Sequence, residues 1–218
     1  MTYKRAVALG FVLVLAAFAV AAWFYPQLPD TVPTHWNAAG QPDDYTSKPW
    51  GPFILPLAML GAWIALSVLP PIAPRGYRLD RFIGTYGILM LAMLAALLVL
   101  TIVMLLAADG KQFNSTRVAF IVIGALFVVL GNYLGKLRKN FFIGIRTPWT
   151  LASDEVWART HRLGGWLFVL AGLAVVAIGT LDLGVWPFMA AVGSAALVPA
   201  IYSYLAYRQV EREQVGKS

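Results

Sequence analysis

The sequence predicts an all-α integral membrane protein with six transmembrane helices, and three observations support that fold class. Of its 218 residues, 60% are hydrophobic and only 12% are charged, whereas a soluble domain carries about 25% charged residues. Six apolar runs, each free of charged residues and His, are long enough to cross a hydrocarbon core about 30 Å thick as helices. Lipid offers no partner for open backbone groups, and the alternating pattern of barrel strands is absent.

The first apolar run has two interpretations. It follows a basic start, and Ala19-Val20-Ala21 resembles the cleavage site of a signal peptide. The run continues through Trp23-Phe24-Tyr25, which is typical of an interfacial anchor and favours an uncleaved helix. The six predicted spans are approximately Ala6–Tyr25, Trp50–Pro71, Phe82–Ala107, Val118–Gly135, Leu163–Leu181 and Gly184–Tyr207.

The distribution of Lys and Arg predicts the orientation of the chain. Of the 17 Lys and Arg residues, one side of the membrane receives 14 and the other side receives 3, namely Lys48, Lys111 and Arg117. Because positive loops stay in the cytoplasm, we expect both termini to be cytoplasmic. Since the basic residues flank apolar runs, no direct binding of nucleic acid is expected. The absence of Cys excludes disulfides and thiolate sites within this chain.

Several residues within or beside the spans predict local features. Pro56 and Pro199 should kink their helices. Gly131 and Gly135 form a small-xxx-small pair that allows close helix contact. The charged tail, Arg208–Ser218, is expected to be frayed.

The loop at residues 26–49 lies outside the membrane in this topology. Its five Pro residues prevent regular helix or central strand, and Asn37-Ala38-Ala39-Gly40 offers turn chemistry. Trp36, Tyr45 and Trp50 can bury against the bilayer surface or the helix ends. We therefore expect a structured cap.

The same outer loop holds one His beside two carboxylates. His35, Asp43 and Asp44 could converge on a metal, or His35 could act as a base. Alternatively, His35 and Asn37 hydrogen-bond the loop backbone and hold its turns. A single His with nearby carboxylates lacks the spacing of a known metal site, which favours the structural alternative. No cofactor is predicted.

The inner loop, residues 136–162, is predicted to contain a short amphipathic helix. Ser153 is a good N-cap, and the carboxylates that follow it complement the helix dipole. Trp157 and His161 are four residues apart and share a face. We expect this helix to lie at the cytoplasmic interface and to turn at Gly164-Gly165 into the fifth span.

Arg146 precedes that helix and has two interpretations. It anchors lipid phosphate or a helix carbonyl, or it binds a carboxylate group on a partner bidentately. Thr147-Pro148 should form a fixed turn. His35 and His161 lie on opposite sides of the membrane and cannot share a metal, and HExxH is absent. We therefore assign no catalytic residue and favour a protein that is not an enzyme.

Both loops carry recognisable motifs. Leu28–Asn37, with Gly40 and Pro42-Asp43, resembles the domain of unknown function numbered 1648. The stretch from Asn132 to Gly165 resembles the SdpI immunity-protein family through Asn140, Gly144, Arg146–Leu151, Val156-Trp157 and Thr160-His161. We accordingly divide the chain into a DUF1648-like segment at 1–71, with two spans and the outer loop, and an SdpI-like region at 72–218, with four spans and the inner loop.

The resemblance implies a bacterial plasma-membrane protein that protects its producer from a secreted toxin peptide of the cannibalism system. In that family the protein can also sequester a cytoplasmic repressor. We expect the outer loop to meet the toxin and the inner loop to meet the repressor, with membrane lipid as a further partner. The alternatives are a transporter that exports the peptide and a membrane enzyme acting on peptide or lipid. The candidate binding residues are His35, Trp36, Asn37, Asp43, Asp44, Asn140, Arg146, Thr147, Pro148, Trp149, Trp157 and His161.

Overall fold

The computed structural model describes residues 1–37 and 41–215. It contains six helices long and apolar enough to span a membrane, which confirms the predicted fold class. The predicted turn at Ala38–Gly40 and the basic residue Lys217 lie outside the described residues. The long helices are α1 (Tyr3–Phe24), α2 (Ile54–Ile72), α3 (Ile83–Ala108), α4 (Ser115–Leu134), α6 (Asp154–Leu181) and α7 (Val185–Val215), with the short helix α5 (Pro148–Ala152) before α6.

The segment between α1 and α2 folds into a β-hairpin. Strand β1 (Thr31–Trp36) pairs antiparallel with strand β2 (Pro42–Ser47), and the register is irregular around His35. Pro33 and Pro42 are compatible with these strands because both strands of a two-stranded sheet are edges.

The N-terminal helices are tied together by side-chain hydrogen bonds to backbone carbonyls. The Trp63 indole donates to the Val7 carbonyl at 3.0 Å, and the Tyr86 hydroxyl donates to the Leu66 carbonyl at 2.6 Å. These bonds join α1, α2 and α3 around a core that includes Met59, Met90 and Leu94. Helix α3 packs on α4, α4 packs on α6, and α6 packs on α7.

Glycines allow close contact between α4 and α6. A Cβ added at Gly131 would lie 2.6 Å from the Gly165 carbonyl oxygen, and one added at Gly124 would lie 2.6 Å from the Gly172 carbonyl oxygen. The backbones therefore touch, as small residues permit in membrane helices. Gly131 faces α6 of the same chain, whereas a Cβ at Gly135 would meet open space.

The predicted break at Gly164-Gly165 is wrong. Helix α6 runs unbroken from Asp154 to Leu181, and its N-cap is Ser153, as the sequence predicts. The glycines serve packing instead of a turn: Gly165 abuts the Gly131 backbone, and a Cβ at Gly164 would lie 2.6 Å from the Ile145 side chain. The predicted separate amphipathic helix is thus the first part of α6.

The C-terminal tail is helical to Val215, so the prediction that it frays from Arg208 is wrong for the described residues. Val210 is buried against Val156 of α6, and Glu213 forms an ion pair with Arg159 at 3.0 Å. At about 1.5 Å per residue, the 31 residues of α7 span roughly 46 Å, more than a hydrocarbon core about 30 Å thick. Its charged end can therefore extend beyond the bilayer.

The two prolines predicted to kink helices differ in position. Pro56 lies in the first turn of α2, where its missing N–H would have no intrahelical partner, so no kink is required there. Pro199 lies inside α7 and is buried, and its lost backbone hydrogen bond is of the kind that bends helices.

The connections divide between two ends of the helices. The hairpin, the α3–α4 turn and the α6–α7 turn lie at one end, which we call the hairpin face. The α2–α3 segment, the 135–153 segment and the charged end of α7 lie at the other end, the basic face. Which face is cytoplasmic stays a prediction.

Candidate functional site

An apolar cleft of about 370 Å³ lies beneath the hairpin. Its rim includes Thr34, His35, Trp36 and Asn37 from the hairpin, three of which the sequence singled out. Its wall comes from four helices, mainly through aliphatic and aromatic side chains. We call it the hairpin cleft, and its wall consists of Ile54, Leu55, Leu100, Val103, Met104, Ser115, Thr116, Ala119, Phe120, Ile123 and Val185.

Buried contacts hold the hairpin against the helix ends. Val32 is fully buried, and a Cβ on Gly51 would lie 2.8 Å from the Val32 Cβ. Trp36 packs against a cluster that includes Met104. The Lys48 ammonium donates to the Leu28 carbonyl at 2.6 Å. The roof of the cleft is consequently fixed by packing and hydrogen bonds.

The structure brings His35 to one of the two predicted carboxylates. His35 Nδ1 lies 2.6 Å from Asp43 Oδ1, and both side chains are largely exposed. Asp44 instead accepts the Tyr45 N–H at 2.8 Å, and Asn37 accepts the Gln41 N–H at 3.1 Å. Across 1–37 and 41–215, no three His, Cys, Asp or Glu side chains are grouped to hold a metal. Asn37 thus bonds the loop backbone, as the structural alternative expects.

The His35–Asp43 pair should contribute little to stability. Because exposed ion pairs are worth about 0–1 kcal/mol, we expect Asp43→Asn to change the free energy of unfolding by less than about 1 kcal/mol. Denaturation in mixed micelles would measure this, with Asp30→Asn, which changes an exposed carboxylate directly before β1, as a control. A loss several times larger would show that Asp43 has a further buried role.

On the basic face, Asn140 organises a tight turn after α4. It is fully buried, and its amide nitrogen donates to the carbonyls of Arg138 (2.8 Å) and Ile143 (3.1 Å). Its side-chain oxygen accepts the N–H groups of Phe142 (2.8 Å) and Ile143 (2.9 Å). One amide therefore satisfies four backbone groups. A direct role of Asn140 in binding a partner stays a prediction.

Trp157 and His161 fasten this turn to α6. Their rings stack with centroids 4.0 Å apart, and the Trp157 indole donates to the Leu137 carbonyl at 2.9 Å. His161 Nε2 accepts the Ile145 N–H at 3.0 Å, and Nδ1 lies 2.8 Å from the Trp157 carbonyl. These partners require a neutral imidazole with its proton on Nδ1. Gly144, at φ +104°, leaves room for the ring, because a Cβ there would lie 2.5 Å from Nε2.

The Arg146–Trp149 motif fastens the same segment to α7. Thr147 caps α5 through a reciprocal bond with Thr150, and Pro148 occupies the first turn, where its missing N–H costs nothing. The Thr147 hydroxyl lies 2.9 Å from the Ser203 hydroxyl, and Trp149 packs on α7. The exposed Arg146 guanidinium donates to the Phe141 carbonyl. The predicted turn at Thr147-Pro148 is thus the start of a short helix.

The polar residues around the start of α6 do not converge on one site. Arg146 bonds a loop carbonyl, and Glu155 pairs with Arg159 one helical turn later. His161 is 1% exposed with both nitrogens engaged.

The residues that sequence reasoning missed are the apolar walls of the hairpin cleft, because uniformly apolar spans show no periodicity that marks one face.

Comparisons with known proteins agree with the motifs in both loops. Residues 136–203 match the model of the SdpI/YfhL protein family, and residues 12–60 match that of a domain of unknown function, DUF1648. The chain is 25% identical over 204 residues to the Immunity protein SdpI of Bacillus subtilis (strain 168), covering 93% of this chain and 96% of that protein. No solved structure matches the chain. The predicted resemblance is confirmed, and the domain boundary after residue 71 stays a prediction.

Proposed function

We propose that the chain is a bacterial membrane immunity protein that gives resistance to a secreted toxin peptide by binding the peptide at the hairpin cleft. The observation that carries this proposal is the cleft itself, an apolar cavity roofed by His35, Trp36 and Asn37. The name of its Bacillus subtilis relative, aligned over nearly the whole of both chains, supports the immunity role.

The size and lining of the cleft favour an apolar part of a peptide as its occupant. A volume of about 370 Å³ lies at the small end of the roughly 300–1,000 Å³ typical of ligand sites. It can hold one or two large apolar side chains. Burying each such side chain stabilises a complex by about 1.5–3 kcal/mol.

The distribution of basic residues supports an outward-facing cleft. Of the 17 Lys and Arg residues, the basic face and the termini hold 14 and the hairpin face holds 3. The positive-inside rule then directs the hairpin face away from the cytoplasm. In this orientation a secreted peptide reaches the cleft without crossing the bilayer, and both termini are cytoplasmic.

Signalling through a cytoplasmic repressor is a second part of the proposal. Phe141 and Arg146 are exposed beside the fastened turn on the basic face, an apolar and a cationic group that a protein partner can contact. For toxin binding on the outer face to change repressor binding on the inner face, the toxin must favour one of two arrangements of the helices. The signalling role is supported if the protein captures the repressor only when toxin is present and if Arg146→Ala abolishes this capture. Capture that needs neither toxin nor Arg146 contradicts it.

Filling the cleft should abolish protection. In toxin-sensitive bacteria, Ala119→Phe places a ring inside the cleft, whereas Ala125→Phe places the same ring on the exposed side of the same helix. A ring there would exclude one apolar side chain of the peptide, and losing that buried contact weakens peptide binding by about 10–100-fold. We expect Ala119→Phe to lose protection against the cannibalism toxin peptide at matched membrane levels, while Ala125→Phe retains it.

The same assay separates the alternative functions. Equal protection by Ala119→Phe and the parent chain would contradict binding at the hairpin cleft. Energy-dependent efflux of labelled peptide would indicate a transporter, and cleaved peptide in the medium would indicate an enzyme.

A further inference from the structure

A second, larger cleft of about 740 Å³ opens on the basic face. Three chain segments line it: the α2–α3 connection, the turn after α4, and the first turn of α6. We call it the basic cleft. Its charged lining residues are Arg75, Arg78, Asp80, Arg81, Arg138, Lys139 and Asp154.

The charges in the basic cleft do not balance. Five cations face two carboxylates, so positive charge exceeds negative charge by three. Each carboxylate already has a cation of its own, since Arg78 pairs with Asp80 at 2.7 Å and Lys139 pairs with Asp154 at 2.9 Å. Within residues 1–37 and 41–215, Arg75, Arg81 and Arg138 have no carboxylate partner.

Buried neighbours fix the backbone that carries Arg81 and Arg138. Leu79 is fully buried and Phe82 is 6% exposed, so the segment bearing Arg81 is anchored in the core. Leu137 is buried beside Arg138, and its carbonyl accepts the Trp157 indole N–H at 2.9 Å. Arg81 and Arg138 line one cleft although they are some 60 residues apart in sequence. Basic residues that only set membrane topology do not need to come together in this way.

We propose that the basic cleft binds a phosphate group, carried either by an anionic lipid headgroup or by a free phosphate compound. Guanidinium forks bind phosphate oxygens bidentately, and Arg75, Arg81 and Arg138 supply positive charge that balances the negative charge of a phosphate group. Basic pockets beside membrane helices are suited to lipid headgroups, and the volume also admits a small soluble phosphate compound.

Thermal unfolding of the purified full chain in zwitterionic detergent tests this proposal. One arm titrates short-chain phosphatidylglycerol against phosphatidylcholine, and the other titrates inorganic pyrophosphate. We expect at least one anionic probe to raise the unfolding midpoint saturably. Stabilisation by phosphatidylglycerol alone identifies a lipid headgroup, and stabilisation by pyrophosphate identifies a free phosphate compound. No stabilisation by either probe overturns the proposal.

A charge-matched control distinguishes a site from diffuse attraction. Arg81→Gln/Arg138→Gln removes two cleft cations, and Arg162→Gln/Arg212→Gln removes two exposed cations of the same face outside the cleft. We expect the first pair to weaken probe binding at least about tenfold and the second to leave it within about twofold. Equal losses in both overturn the proposal. Arg81→Lys/Arg138→Lys keeps the charge and should restore part of the affinity if the cleft variant is folded.

Discussion

Gly131→Ala is expected to lower the free energy of unfolding by about 1–3 kcal/mol, the usual cost of overpacking a close contact. The added Cβ would lie 2.6 Å from the Gly165 carbonyl oxygen and 2.7 Å from the Val169 nitrogen, so backbone must move. Backbone at a helix contact yields far less readily than a flexible side chain. The contact between α4 and α6 should therefore loosen.

Gly61→Ala is the matched control for this substitution. Gly61 also lies within an apolar helix, but its added Cβ would meet nothing within 4 Å. Alanine favours a helix over glycine by about 1 kcal/mol, so Gly61→Ala should be neutral or stabilising. SDS-driven unfolding in mixed micelles measures both variants. Equal effects of the two substitutions would show that α4 and α6 do not meet at Gly131.

Asn140→Ala should cost about 2–4 kcal/mol of unfolding free energy, because it leaves four backbone groups of a buried turn without their side-chain partner. The turn carries Arg138 and also positions Ile145, whose N–H bonds His161. We therefore expect the substitution to release the segment from α6 and to expose it to protease at the basic face.

Asn132→Ala removes the same side chain eight positions earlier, where it is exposed near the end of α4. We expect this control to change the unfolding free energy by less than about 0.5 kcal/mol, as most surface substitutions do. Limited proteolysis of both variants in detergent checks the local effect. Protease resistance of Asn140→Ala equal to that of the parent chain would contradict the organising role of Asn140.

The spans could be predicted from the sequence because bilayer thickness imposes one length and one composition on every crossing helix. Ser153 was likewise identifiable as an N-cap, since its hydroxyl and the carboxylates after it have a local function. In both cases the physical cause lies within a few residues of the feature.

The errors arose where a distant contact decided the local structure. Gly164-Gly165 is typical of a turn when considered alone, but the Gly131 backbone makes it a packing surface. The charged tail is typical of a frayed end, but Arg159 and Val156 on α6 hold it as helix. The sequence signal for the contact between α4 and α6 was a repeat of glycines at seven-residue intervals. The repeat consists of Gly124 and Gly131 on α4, and Gly165, Gly172 and Gly179 on α6.

The candidate residues could be identified by type, while their arrangement needed the fold. Asn140, Trp157 and His161 were singled out by their motif, and the structure joins them in one network with the turn after α4. The hairpin cleft could not be predicted, because its walls come from four helices and consist of the same apolar residues that face lipid elsewhere. Binding roles for the singled-out residues stay predictions.

Thiol labelling of the hairpin cleft tests the proposed function most directly. The chain has no Cys, so Ala119→Cys places one reactive group in the cleft wall, and Tyr45→Cys places one on the exposed hairpin surface as the control. In intact cells, a membrane-impermeant maleimide should label both variants. We predict that the toxin peptide protects Ala119→Cys from labelling and leaves the labelling of Tyr45→Cys unchanged. Labelling of Ala119→Cys that the peptide does not slow would contradict binding in the cleft.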